Sequence, residues 1–355
     1  MKLLHFAPAL HPGSASRLAV DLAYTLQEHG AQSTLLSPYA EGLLPINGIA
    51  HQPWQQRALL GEWGRVLRLA RIIRKQRPDI VHAYGCEGVR PAARALQKLP
   101  LPSRPRLVGT LTGHPNSPAF FRSPEAAACA CLTVVSRHLR RFAEEHGAGA
   151  LWVIPYGVDE TQCHPSYTPA PGSWRLPAEL EDRFVLCLPG PLSPRHGTDD
   201  VLPIISSLLQ RGVPAHALLA GEAEPPYREA LAERIRSAGL ATHITWLGAR
   251  PDMRDVLYRA HAVLSLTAAP AAYERPTLEA LALGRPVAGY AHGIIGEYLQ
   301  AFLPAGALTP GDTSAAADLL MHWHAEPPRT LTDIPYPYRL TDTAKTYHEL
   351  YTSLL

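Results

Sequence analysis

Apolar and polar positions along this chain follow two alternating patterns. Short apolar runs such as Leu3–Phe6 are typical of buried strands, and segments such as Ser16–His29, with apolar residues every three or four positions, are typical of amphipathic helices. Strands separated by helices imply parallel pairing, so the pattern predicts an α/β fold with a doubly wound sheet. The other strands predicted in the first half are 33–36, 80–82, 106–110, 131–135 and 151–154, and the other helices are 62–75, 89–97 and 137–145.

A proline-rich segment over 164–182 interrupts this alternation, which then restarts. We therefore predict two domains, residues 1–165 and 166–338, followed by a last amphipathic helix near 341–355. The strands predicted in the second half are 184–188, 215–219, 244–247, 263–266 and 286–287, and the helices are 199–211, 229–239, 253–260 and 277–283.

Composition narrows the classes of function. The 355 residues are 46% hydrophobic and 18% charged, which is typical of globular proteins and enough for two domains. The net charge of +2 gives no reason to expect a nucleic-acid partner. Neither a secretory signal nor an apolar run of bilayer-spanning length stands out, so we expect a cytoplasmic protein.

Several short motifs occur in an order and spacing that resemble one known family, glycosyltransferase family 4, the group 1 glycosyltransferases with the GT-B fold. The resemblance covers nearly the whole chain. Its most specific part is 268–289, which contains the Leu-Glu-Ala triplet of a nucleotide-sugar motif at Leu278–Ala280. The other matching segments are 2–6, 13–14, 78–82, 134–136, 154–159, 190–197, 219–221 and 247–248.

This resemblance implies two Rossmann-like domains that face each other across a cleft. Residues 1–165 would form the acceptor side, residues 166–338 would bind the nucleotide sugar, and a helix at 339–355 would cross back onto the first domain. It also implies a retaining sugar transfer in which a nucleoside-diphosphate sugar is the donor substrate. No tightly bound cofactor and no metal site are expected.

The resemblance also implies which residues bind the donor. Glu279 takes the position of a ribose-binding carboxylate, although an acid in the first turns of a helix often only complements the helix dipole. Arg275 offers a guanidinium suited to phosphate. The remaining candidates for the donor are Gly13, Ser14, Gly190, Thr277, Leu278 and Gly296.

The chain departs from the family pattern at three charged positions. An arginine and a lysine that stabilise the leaving diphosphate are replaced by Pro191 and His196, and the first acid of the nucleotide-sugar motif is Ala271. Nearby groups that could compensate are Arg195, a protonated His196 and Glu274, which lies just before the helix if that helix begins at Pro276. His114 lies two residues after the position of a family histidine that lines the donor sugar, and it is either a catalytic group or a solvated loop residue.

A basic amphipathic pattern covers the predicted helix at 62–75. Arginines recur at helical spacing and are interleaved with Trp63, Leu67 and Ile73. Such a helix either contacts an anionic membrane at its inner face or presents a solvated surface, and both interpretations remain open.

These observations favour a glycosyltransferase that transfers a sugar to a glycan or a lipid-linked saccharide, in bacterial envelope polysaccharide or lipopolysaccharide synthesis. A second hypothesis is a catalytically inactive relative that acts as a partner or scaffold protein. A sugar-nucleotide epimerase of similar fold is a third hypothesis, but the sequence offers no clear additional catalytic acids for it.

Overall fold

The structure is a computed structural model that describes residues 1–8, 14–38, 48–54 and 61–355, with residues 14–16 described in their backbone only. The chain divides into two compact units. Unit 1 comprises Met1–Gly157 and Tyr336–Leu355, and unit 2 comprises Val158–Pro335. Each unit has a parallel sheet, and in the described residues helices lie between most successive strands, as the alternating pattern predicts.

The unit 1 sheet has seven parallel strands among the described residues, in the order β3-β2-β1-β4-β5-β6-β7. The order reverses between β1 and β4, because the chain first builds outward in one direction and then in the other. The strands are β1 (Lys2–Phe6), β2 (Gln32–Ser37), β3 (Ala50–Pro53), β4 (Ile80–Tyr84), β5 (Arg106–Leu111), β6 (Cys131–Val134) and β7 (Trp152–Val153). The helices are α1 (Ser14–Glu28), α2 (Glu62–Gln76), α3 (Gly85–Leu96), α4 (Pro124–Ala127) and α5 (Arg137–Glu145).

Unit 2 has a six-stranded parallel sheet in the described part of the chain, in the order β10-β9-β8-β11-β12-β13. Its central strands are mostly apolar, as expected for parallel strands buried on both faces, and all six residues of β9 are buried, including His216. The strands are β8 (Phe184–Pro189), β9 (Ala215–Ala220), β10 (Ile244–Trp246), β11 (Ala262–Ser265), β12 (Val287–Tyr290) and β13 (Ala307–Leu308). The helices are α6 (Val201–Gln210), α7 (Pro225–Ser237), α8 (Met253–Arg259), α9 (Arg275–Ala282), α10 (Gly293–Phe302) and α11 (Thr313–Ala325).

The C-terminal helix α12 (Leu340–Leu354) belongs to unit 1. Its Tyr347 and Tyr351 are fully buried and bond to polar side chains of the sheet. The Tyr347 hydroxyl lies 2.8 Å from Thr110 Oγ1, and the Tyr351 hydroxyl lies 2.6 Å from His82 Nδ1. Buried hydroxyls need such partners, so this network fixes how the helix sits on the sheet.

Gly157 makes the approach to α12 possible. A Cβ atom at this position would lie 2.1 Å from the carbonyl oxygen of Arg339, and the Gly157 N–H donates to Thr343 Oγ1 at 2.9 Å. Because the crowded atoms belong to the backbone, a rotamer change cannot relieve the contact.

We expect Gly157→Ala to lower the free energy of unfolding by about 2 kcal/mol or more, because α12 must shift to accommodate the methyl group. Gly149→Ala is the matched control, since a Cβ there meets nothing within 4 Å. Urea denaturation of both variants tests this, and equal stability of the two variants would contradict it.

Candidate functional site

The carboxyl ends of the unit 2 strands form the candidate site. All six strands are parallel, so the loops that follow them lie at one edge of the sheet. The strand order reverses between β8 and β11, and open α/β sheets bind ligands in the crevice at such a reversal. The loops after β8 (190–198) and after β11 (266–274) flank this crevice and, together with helix α9, contain eight of the twelve predicted site residues.

Backbone contacts join the loops after β8, β11 and β12. The Ala268 N–H donates to the Arg195 carbonyl at 2.8 Å, and the Ile294 N–H donates to the Ala271 carbonyl at 2.9 Å. A Cβ on Gly197 would lie 2.0 Å from the Leu266 carbonyl oxygen, so only glycine permits this approach. The loops therefore form one connected rim around the crevice.

Gly190 begins the loop after β8 with a φ of +107°, a conformation that favours glycine. Its N–H donates to the Ala220 carbonyl at 3.1 Å. A Cβ atom on Gly221 would lie only 1.5 Å from the Gly190 carbonyl oxygen, so Gly221 must also be glycine for the turn to form. Gly190 therefore shapes the turn, and its N–H forms a hydrogen bond within the protein.

Arg195 and His196 lie on one short helical turn, Pro194–His196. Arg195 is exposed, whereas His196 is half-buried with its Nδ1 2.7 Å from Ser193 Oγ. Burial, and secondarily the charge of Arg195, lower the pKa of His196. His196 is therefore neutral near pH 7 here, and a bound diphosphate would have to raise its pKa to make it cationic.

Glu274 is the N-cap residue of α9, as its predicted place just before the helix requires. Its side chain makes no capping hydrogen bond, and Pro276 in the first turn contributes no N–H. Burial raises the pKa of the half-buried Glu274 carboxyl from 4.5 to about 7. Near neutrality this carboxyl is therefore partly protonated and can donate a hydrogen bond as well as accept one.

Arg275 and Glu279 form an ion pair within α9. The Arg275 Nε lies 2.7 Å from Glu279 Oε1, and the Glu279 side chain is only 12% exposed. The guanidinium predicted for phosphate is thus bound to the carboxylate predicted for ribose. The i,i+4 spacing of the two residues favours this pair, which was not among the sequence-based predictions.

Thr277 and Leu278 are buried in unit 2, so a ligand could contact them only through the backbone. The Thr277 hydroxyl lies 2.7 Å from Ser265 Oγ, and the Leu278 side chain is packed in the core. Thr277 lies in the first turn of α9, where N–H groups have no carbonyl partner within the helix. Of Thr277 and Leu278, Thr277 is therefore the residue whose backbone N–H can donate a hydrogen bond to an anion.

Gly296 lies inside α10 and not at its start. Its N–H donates to the His292 carbonyl at 3.2 Å, and a Cβ there would lie 3.0 Å from the Ala291 carbonyl carbon. Gly296 therefore permits close packing, while the preceding Gly293 starts the helix with a φ of +54°.

The predicted site residues of unit 1 are described only in part. Gly13 lies outside the described residues, and Ser14 is the first residue of α1. His114 is exposed, its Nε2 lies 3.1 Å from His138 Nε2, and burial of its ring lowers its pKa. The sequence analysis did not single out His138, because no local pattern links the loop after β5 to the start of α5.

Two kinds of feature are missing from the described ranges. No group of three or more His, Cys, Asp or Glu side chains there could hold a metal ion. None of the helices in those ranges combines the length and apolar character needed to cross a bilayer.

The fold and the rim of loops define a transferase with two Rossmann-like halves, the GT-B glycosyltransferases. A model of Glycosyltransferase Family 4 matches residues 15–162, and a model of Glycosyl transferases group 1 matches residues 183–325. Together they cover most of the chain, which belongs to this family of glycosyltransferases.

Solved structures of low sequence identity share the fold over the whole chain. The Anabaena protein HepE in complex with UDP and glucose is 20% identical, with a TM-score of 0.77, over 99% of this chain and 95% of that one. Sucrose-phosphate synthase from Thermosynechococcus elongatus is 17% identical, with a TM-score of 0.75, over 99% and 98%. The apo lipopolysaccharide outer core galactosyltransferase WaaB is 14% identical, with a TM-score of 0.72, over 100% of both chains. No curated protein sequence matches.

Stability against pH tests the environment of Glu274. Because its pKa is about 7 in the folded protein and 4.5 for an ordinary carboxyl, the folded state retains a proton that the unfolded chain loses between these values. The contribution of the Glu274 carboxyl to the free energy of unfolding is therefore fully present below pH 4.5 and is lost as the pH rises through about 7. We expect Glu274→Gln to be more stable than the wild type well above pH 7, by on the order of 1–3 kcal/mol, with the difference shrinking toward pH 4.5.

The matched control is Glu229→Gln, which changes an exposed glutamate on α7 of the same unit. Thermal unfolding across this pH range measures all three proteins. A constant difference between Glu274→Gln and the wild type at every pH would contradict the raised pKa.

Proposed function

We propose that this glycosyltransferase moves a sugar from a nucleoside-diphosphate sugar to a glycan or a lipid-linked saccharide, with retention of the anomeric configuration. The biological setting would be bacterial envelope polysaccharide or lipopolysaccharide synthesis, in the cytoplasm. The observation that carries this proposal is the connected rim at the β8–β11 reversal, where the Ala268 N–H donates to the Arg195 carbonyl and joins the two loops that flank the crevice.

The diphosphate that leaves during transfer develops negative charge, and groups that stabilise this charge lower the barrier. The first turn of α9 offers the Thr277 N–H and the positive end of a helix dipole. Arg195, which is exposed on the loop after β8, supplies a full charge. These groups take the place of the family arginine and lysine, which are Pro191 and His196 here.

The environment of Glu274 favours an active site in which this carboxyl replaces the missing family acid, rather than a site that has become inactive. The family acid at Ala271 is missing, and the Ala271 carbonyl accepts the N–H of Ile294. Glu274 lies three residues on, and its pKa of about 7 leaves a carboxyl that is partly neutral at physiological pH. A neutral carboxyl can donate to a sugar hydroxyl or exchange a proton with it, as general acid–base catalysis requires.

The second candidate is an inactive relative that serves as a partner or scaffold protein. The Arg275–Glu279 pair favours it, because a guanidinium that neutralises Glu279 competes with ribose for the same carboxylate. Removing one charge-stabilising donor can cost on the order of 10²–10³ in rate, and this chain has changed three family positions.

Nucleotide binding separates these candidates. We expect the melting temperature of the protein to rise with one of the nucleoside diphosphates UDP, GDP and ADP, or with a nucleotide sugar derived from it. UDP is the first choice, because the similar Anabaena protein has been solved with UDP and with UDP-glucose. Glu279→Ala should weaken this binding at least about tenfold, because it removes charge-assisted hydrogen bonds to ribose.

Glu229→Ala, on α7, is the matched control for the binding assay. Incubation with the bound donor and a panel of saccharide acceptors should then give a product whose anomeric configuration matches the donor, as read by NMR. Stabilisation by none of the nucleotides, in a folded sample, would favour the scaffold protein.

For membrane contact, the exposed face of α2 is the surface we propose. Trp63 is 70% exposed and Leu67 is 45% exposed one turn later, and Arg71, Arg74 and Lys75 are exposed further along the helix. Lys98, on unit 1, lies 5.0 Å from the centre of the Trp63 ring. Exposed aromatic and aliphatic groups beside cations suit the interface of an anionic bilayer, which would present a lipid-linked acceptor.

We expect the protein to co-sediment with vesicles that contain phosphatidylglycerol and not with vesicles of phosphatidylcholine alone. Replacing Arg71 and Arg74 with glutamate should weaken this binding at least about tenfold, since each basic residue near an anionic surface contributes about 1 kcal/mol. Trp63→Ala should also weaken it, whereas Trp152→Ala, which removes another exposed tryptophan of unit 1, should not. Equal binding to both kinds of vesicle would contradict this surface.

A further inference from the structure

Unit 2 contains a cavity that is lined by none of the predicted donor-site residues. It has a volume of about 540 Å³, which is within the range of small-molecule sites. Phe184 is the first residue of β8, and His261 and Pro286 directly precede β11 and β12. Because the strands are parallel, their amino ends lie at the sheet edge opposite the candidate donor site.

Groups that carry or can accept positive charge crowd together in the lining of this cavity. Arg285 and His324 both lower the pKa of His261, in addition to the effect of burial. Burial also lowers the pKa of Arg285 itself, which is half-buried. These groups therefore lie close enough for the positive charge of one to disfavour the charged form of another, and an anion beside them would relieve that repulsion.

Arg285 also has an unused hydrogen-bond donor. Its Nε is buried and has no hydrogen-bond partner in the part of the chain that the structure describes. Its guanidinium carbon lies over the Tyr258 ring, 5.0 Å from the ring centre, which is a cation–π contact and uses no N–H group in a hydrogen bond. A buried donor on a charged group is costly when it stays unsatisfied, and an anion oxygen is the partner that suits it.

His261 offers a second donor to the same cluster. Its Nδ1 accepts the Val185 N–H at 3.0 Å, so the neutral ring carries its proton on Nε2. The ring of Phe184 lies 5.7 Å from that of His261 and 5.0 Å from that of His324. The cavity therefore combines hydrogen-bond donors with apolar surface from Phe184 and the buried Trp323.

Two carboxylates and a second arginine also line the cavity. Glu181 and Asp182 are exposed, and Arg183 is half-buried. Solvent screens the charges of exposed carboxylates, whereas a partly desolvated guanidinium is screened much less. The charges of the two half-buried arginines, Arg183 and Arg285, are therefore less screened than those of the two carboxylates.

We propose that this cavity binds a small organic anion, with a phosphate or carboxylate group held by Arg285, His261 and His324 and an apolar or ring-shaped body against Phe184 and Trp323. Its position at the opposite edge of the sheet separates it from the donor crevice. Its occupant would be a ligand other than the donor nucleotide, and the proposal stands whether or not the donor site turns over.

Three matched probes test the ligand class: phenyl phosphate, benzoate and uncharged benzyl alcohol. We expect phenyl phosphate or benzoate to raise the melting temperature and benzyl alcohol not to. The more effective of the two identifies which anionic group the cavity prefers. Stabilisation by none of the three, or equally by all of them, would overturn the proposal.

Arg285→Met removes the charge while keeping an unbranched side chain, and we expect it to weaken anion binding about tenfold or more. Arg236→Met is the matched control, because Arg236 is an exposed arginine of α7 in the same unit, paired with Glu233. An anion that binds in the donor crevice would bind both variants alike, and that result would also overturn the proposal.

Histidine NMR of the wild type keeps the test decisive if Arg285→Met does not fold. With ¹³C-labelled histidine, the resonances of His261 and His324, assigned with His261→Gln and His324→Gln, should shift on addition of the anion, toward the protonated form. Saturable shifts at these two histidines would support the site, and unchanged resonances at both would overturn it.

Discussion

The parallel direction of all six strands in unit 2 is the constraint on which the rest depends. It brings every loop that follows a strand to the same edge of the sheet. Because the strand order reverses between β8 and β11, the loops after these two strands diverge and leave a crevice between them. Backbone hydrogen bonds from Ala268 to Arg195 and from Ile294 to Ala271 then hold the loops in register. Gly197 and Gly293 permit these close approaches. Backbone contacts therefore determine where the loops of the site lie, and the side chains are placed on this frame.

The charged groups on this backbone are distributed differently from the family pattern. The loop after β8 carries Arg195, and Glu274 lies three residues after Ala271 in the nucleotide-sugar motif. The two charged side chains on α9, Arg275 and Glu279, form an ion pair. Under the proposed function, a nucleotide that binds Glu279 competes with Arg275 for that carboxylate, so the pair would influence donor affinity.

Much of the fold could be predicted from the sequence because buried parallel strands are mostly apolar. The strands 184–188 and 215–219 and the helix 137–145 agree closely with β8, β9 and α5. The sequence pattern did not predict helices α10 and α11. Two glycines, Gly293 and Gly296, weaken the helical pattern of α10, and in α11 the buried Trp323 lies between two histidines. The short strands β3 and β13 were also missed, because they take their structure from pairing with neighbouring strands.

The site was less predictable, because its properties arise from contacts distant in sequence. The motif alone located Glu274, Arg275 and Glu279, but the pKa of Glu274 depends on burial by the folded loops. The pairing of His114 with His138 and the cluster around Arg285 likewise join residues that no local pattern connects.

The most direct test of this account is a ¹³C NMR titration of the Glu274 carboxyl, assigned with Glu274→Gln, in the free protein and with a bound nucleotide sugar. The account predicts a midpoint near pH 7 in the free protein and a displaced midpoint when the donor occupies the crevice. A midpoint near 4.5 that the nucleotide sugar leaves unchanged would contradict the claim that Glu274 replaces the missing acid.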